Sequence, residues 1–79
     1  MPSERPDYEN MEDLREDGIV PPTRAAIAVA DEMRPRMQGY RESISGEGGI
    51  VFEKFEPRYH GTEILSDGGL WPRFSIDDE

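Results

Sequence analysis

At Gly39 the spacing of apolar residues changes. Before it, Ala26, Ile27, Ala30, Met33 and Met37 recur at the spacing of one helical face; after it, apolar and polar residues alternate in short runs between turn residues. A chain that switches once from a period of 3.6 to a period of 2 must lay a helix on a sheet, because each element has one apolar face to bury. The sequence therefore predicts an α+β fold: one main helix, with a short preceding helix, packed on a three- to four-stranded antiparallel β-meander. Residues 1–79 form a single small domain in this reading, with mobile ends at 1–6 and 77–79.

The helical half has clear punctuation. Thr23 reads as an N-cap and the stretch Arg24 to Met37 carries the apolar stripe. Pro35 lacks an N–H and would clash with the carbonyl of Asp31, so the helix should kink or end near Arg34. Upstream, Asp7 is a candidate cap for a short helix bearing Tyr8, Met11 and Leu14 and closed by Gly18. A helix so short needs those three side chains to dock on something. Between the two, Ile19 to Pro22 is extended, since residues before proline avoid the α region.

The second half reads as four strands: Tyr40 to Ser45, Ile50 to Glu56, Tyr59 to Ser66 and Leu70 to Ile76. Asp67-Gly68 suggests a two-residue turn, which pairs Leu65 with Leu70 and Ile64 with Trp71. Pro57 is incompatible with a primed turn, so the second connection is a type I turn or a longer loop, and Pro72 makes the last run an edge strand or gives it a bulge. Parity then assigns Tyr59, Leu65, Leu70, Phe74 and Ile76 to the face beneath the helix, and a tight Pro57-Arg58 connection would add Ile50 and Phe52 to it. The opposite face carries Val51, Phe55, His60, Ile64 and Trp71, with Arg73 nearby. That is too apolar for a solvent face, so the sequence predicts a cover. Either the N-terminal helix folds over it, or a partner or second copy of the chain buries Phe55, Ile64 and Trp71.

Composition limits what such a domain can do. Eighteen acidic side chains oppose nine basic ones, for a net charge of −9. Leu, Ile, Val and Phe make up only 15 of 79 residues, at the border where a strongly charged chain is suspected of disorder. Duplex DNA and anionic membranes would be repelled, whereas a basic protein surface would be attracted. Eight of the nine cations are Arg, the basic residue enriched at interfaces. Cysteine is absent and His60 is the single imidazole, which leaves no thiolate site or histidine-rich metal centre. No apolar run is long enough to span a bilayer and no basic segment precedes an apolar stretch, so neither a spanning helix nor a signal peptide is predicted and the expected address is cytoplasmic.

Catalytic motifs are lacking. His60 sits in a strand, where an imidazole is ordinarily a packing residue, and the many carboxylates pair by chance. Gly46-Glu47-Gly48-Gly49 lacks the helix and lysine of a phosphate loop, and Asp67-Gly68 lacks the alternating oxygen ligands of a calcium loop. No catalytic, cofactor-binding or metal-binding residue is therefore assigned, and no cofactor is expected.

Four segments, Glu16-Asp17-Gly18, Val20-Pro21-Pro22-Thr23-Arg24-Ala25-Ala26-Ile27, Gly48-Gly49-Ile50-Val51-Phe52-Glu53 and Thr62-Glu63-Ile64-Leu65-Ser66-Asp67-Gly68, together resemble a loose group of small acidic bacterial proteins of unknown function. The likeness spans residues 16 to 71. It departs at Leu14, where the outline has Trp, and at Trp71-Pro72. Such proteins look like accessory genes of mobile elements or toxin-antitoxin neighbourhoods, which implies a binding role and supplies no catalytic residue.

The sequence thus points to a non-enzymatic, acidic protein-binding module that acts as an inhibitor or antitoxin-like antagonist of a basic protein, nucleic-acid-binding proteins included. Its predicted partner-binding residues are Val51, Phe55, His60, Ile64, Trp71 and Arg73. The alternative is a structural subunit, or an obligate homodimer, whose second sheet face is permanently buried.

Overall fold

Thr23 begins the main helix. Its backbone is extended and its side chain accepts the Ala26 N–H at 3.2 Å, satisfying one of the free donors of the first turn. Helix α1 (Arg24–Met33) follows, and Pro35 then converts the chain to a 3-10 turn, Arg34–Arg36. The computed structural model describes residues 6–11, 15 and 17–74, Phe74 by its backbone alone. Ala26 and Ala30 are fully buried on the inner face of α1, with Ile27, Val29, Met33 and Met37 beside them. Two alanines at this spacing let the helix backbone lie close to the sheet.

Four strands, β1 (Arg41–Ile44), β2 (Ile50–Lys54), β3 (His60–Ile64) and β4 (Leu70–Phe74), form an antiparallel meander in chain order. Helix α1 packs over β2 and β3. Ile50 and Phe52 of β2 and Ile64 of β3 are the largest fully buried side chains. Each contributes about 1.5–3 kcal/mol by leaving water, so a core this small rests on very few residues. The chain before α1 is tied to the hairpin ends. Val20 and Thr23 donate their N–H groups to the carbonyls of Gly46 (3.1 Å) and Gly48 (3.0 Å), and the Thr23 hydroxyl donates to the Ser66 carbonyl at 2.6 Å. Gly48 permits this approach: its φ is +93°, and a Cβ there would stand 3.1 Å from that of Ser66.

The predicted register is corrected at β3. Leu65 donates its N–H to Gly69 at 2.8 Å around a three-residue loop, Ser66-Asp67-Gly68, so Ile64 pairs with Leu70 and Glu63 with Trp71. Gly68 has a φ of +91° and the Gly69 N–H bonds to the Asp67 carboxylate at 2.9 Å, as expected when a turn closes on a left-handed glycine. Five residues, Phe55 to Tyr59, link β2 to β3, where a tight Pro57-Arg58 turn would have used two. Both pairings shift by one residue, so the two displacements cancel between β2 and β4 and only β3 is inverted relative to expectation. The energetic reason is plain: the expected register would turn Glu63 toward the core and Ile64 away from it.

The N-terminal segment is also corrected. Among the described residues of the expected Asp7–Gly18 helix, Tyr8–Asn10 form a 3-10 turn whose Asp7 makes no side-chain cap; Leu14 lies outside the described residues. Tyr8 is 4% exposed and belongs to the same core as α1, with Met11 packed against it. Its hydroxyl donates to the Glu42 carboxylate, which also receives two bonds from Arg34 at 2.8 Å, while Arg34 reaches Asp31 at 2.7 Å. Arg34 and Glu42 are almost buried. This network joins the N-terminal segment, the end of α1 and β1 on the helix side, not on the opposite face. Of the ends expected to be mobile, 1–6 and 77–79, residues 1–5 and 77–79 lie outside the described residues.

Pro72 stands on an outer edge, as its sequence position suggested. Hydrogen-bonded and non-bonded pairs alternate along an antiparallel ladder. Counting from the bonded Leu65–Gly69 pair, the Thr62–Pro72 pair is non-bonded, so the proline nitrogen faces away from β3.

Candidate functional site: the open sheet face

Inverting β3 changes what the face opposite α1 carries. From β1 to β4, one row is Ser43, Val51, Glu63, Trp71 and the next is Arg41, Glu53, Gly61, Arg73. Helix α1 packs on the other side of the sheet, against β2 and β3. Trp71 is 61% exposed and Phe55 54% exposed. Of the predicted partner-binding residues, Val51, Trp71 and Arg73 are here, with Phe55 just beyond the end of β2. Ile64 and His60 are not. Ile64 is fully buried under α1, and His60 shares the helix side with Lys54 and Tyr40.

The aromatic residues occupy opposite ends of the face. Phe55 and Tyr59 form a tilted pair with ring centroids 5.4 Å apart. Trp71 lies two strands and two rows away, roughly 16 Å by strand spacing and rise. Between them the surface is charged. Ser43, Glu47, Val51, Glu53, Glu63 and Arg73 are among the residues lining a shallow hollow of about 400 Å³. Its apolar floor is Val51, only 3% exposed although it lies outside the helix-side core. Tyr59 donates to Glu53 at 2.9 Å, and loss of solvation followed by the neighbouring carboxylate raises its pKa above the ordinary phenol value. The charges of Arg73, Glu53 and Glu63 all act on Tyr59, yet Arg73 makes no ion pair with either carboxylate.

Sequence reasoning missed Glu53, Tyr59 and Glu63 as members of this face. The signal for Glu63 was available: it alternates with Thr62 and Ile64, and a carboxylate between two less polar residues marks the solvent side of a strand.

Among the described residues, His60 joins no catalytic constellation. Its ring nitrogens bond only to the Tyr40 hydroxyl among the described residues, at 3.1 Å for Nδ1, with the rings edge to face. The Ser75 hydroxyl expected to face it lies outside the described residues; the backbone partner of His60 is Phe74. Among the described residues no group of three or more potential ligands could hold a metal ion, and no helix is long and apolar enough to cross a membrane. On the helix side a broader cleft of about 640 Å³ separates Tyr8 and Arg15 from Pro21, Arg24 and Ile27. It mixes both signs of charge and has no converging reactive groups. Compared with protein-family models, curated proteins and solved structures, the chain matches none.

Proposed function

We propose that this chain is a non-enzymatic binding module that occupies a basic surface of another protein and antagonises it, as an antitoxin, a phage-encoded inhibitor or a nucleic-acid mimic would. The observation that carries the reading is Trp71, 61% exposed on the sheet face opposite α1 and beside carboxylates. An exposed indole next to acidic groups suits a partner that is apolar at one point and cationic around it. The net charge of −9 steers such a partner inward and repels nucleic acid and anionic lipid.

Immobilised chain exposed to nuclease-treated lysate should retain proteins of high isoelectric point. Retention should fall as salt rises from about 50 to about 500 mM and the Debye length shrinks, and it should drop in the Trp71→Ala variant. Retained proteins that are not basic, or that ignore both salt and the substitution, would overturn the reading.

A structural subunit or obligate homodimer is the second reading, favoured by the edge strand. Leu70, 57% exposed on the helix side, and Trp71 on the other side give β4 two adjacent apolar residues facing water. Sedimentation of a monomer at every concentration would exclude the homodimer.

A further inference from the structure

We infer that the open sheet face seats an arginine side chain of its protein partner, with the guanidinium stacked on Trp71 and forked onto Glu63. The inference rests on the proposed binding of a basic protein and adds the group that is recognised.

Glu63 and Trp71 are direct cross-strand partners on one face, which places their Cβ atoms about 5 Å apart. The indole is 61% exposed, and Glu63 has no ion-pair partner among the described residues. Glu47 and Glu53 line the same hollow, against one cation, Arg73. With Arg41 opposite Glu53 on the same face, three carboxylates meet two guanidiniums, which leaves a net negative charge beside Trp71. A planar guanidinium suits both neighbours at once, because it stacks on an aromatic ring and presents a fork to a carboxylate; a lysine ammonium is a point charge and does neither as well. A second copy of the chain is the poorer occupant, since each carries a net charge of −9 and apposed faces would bring like hollows together.

Trp71 is the only tryptophan in the chain, so its emission reports on the site directly. Oligo-arginine and oligo-lysine peptides of equal length are titrated into the full chain at low salt. Oligo-arginine should shift or quench the emission saturably and bind about fivefold or more tightly than oligo-lysine. Glu63→Gln should remove most of that preference, while Glu32→Gln, on the exposed side of α1, should leave it intact; unchanged circular dichroism verifies both folds. Salt-sensitive binding of both peptides with equal affinity and no response to Glu63→Gln would overturn the arginine seat and leave the basic-partner reading standing. Binding of neither peptide would overturn both. Sedimentation as a dimer with shielded Trp71 emission would replace the arginine by a second copy.

Discussion

The two faces of one sheet differ in what holds them. The helix side packs Ile50, Phe52 and Ile64 beneath Ala26 and Ala30, and its ionic groups, Arg34, Glu42 and Tyr8, are bonded to one another. The other side leaves Trp71 and Phe55 largely in water and its Arg73 without an ion pair among the described residues. A short chain with few large apolar residues cannot cover both faces of a four-stranded sheet with one ten-residue helix. It completes one core and leaves the other side polar at its centre and aromatic at its ends.

That contrast can be broken most forcefully at Phe52. Phe52→Ala should cost about 3–5 kcal/mol, comparable to the whole stability of a domain this size, so urea unfolding should show little or no folded baseline. Glu42→Ala comes next. It leaves the Arg34 guanidinium almost buried without its main partner, and about 3 kcal/mol should be lost in the same measurement. Gly61→Ala should cost roughly 2 kcal/mol, because a Cβ there would stand 2.1 Å from the Phe52 carbonyl oxygen and force β3 away from β2.

Tyr8 gives the contrast a pH dependence. Burial, then its bond to Glu42, raises the Tyr8 pKa above its ordinary value near 10. The folded state therefore holds this proton when the unfolded state has released it. The stabilisation is complete below pH 10 and is lost as pH rises from there toward the raised folded value. Thermal unfolding should show a falling melting temperature above pH 10, and Tyr8→Phe should flatten that fall while costing about 1 kcal/mol near neutrality. The smallest effect belongs to the open face: Trp71→Ala should change stability by no more than about 0.5 kcal/mol. A loss of several kcal/mol at Trp71 would mean that the two faces are not energetically distinct.

Most of the architecture was legible because it is encoded locally. The Thr23 cap, the interruption at Pro35, the alternation within each strand and the edge position of Pro72 all depend on residues within a few positions of one another. What was not legible is the length of two connections. Asp67-Gly68 supports both a two-residue and a three-residue loop, and only the second puts Ile64 inside and Glu63 outside. The destination of Tyr8 was equally hidden, since it is set by Glu42, 34 positions away. Placement opposite α1 was foreseen for Val51, Phe55, Trp71 and Arg73 because the one-residue shifts on the two sides of β3 cancel across the sheet. It was misread for Ile64 and His60 because they lie on the inverted strand.

Pro72 bears on how this sheet behaves in a crowded solution. Strands with free amides along their rim can recruit further chains one after another, and an exposed indole beside such a rim would reward it. With a ring where a donor should be, β4 cannot complete a regular ladder with a newcomer on that side. The molecule can therefore keep a sticky side chain on permanent display without that flank becoming a template for fibre growth.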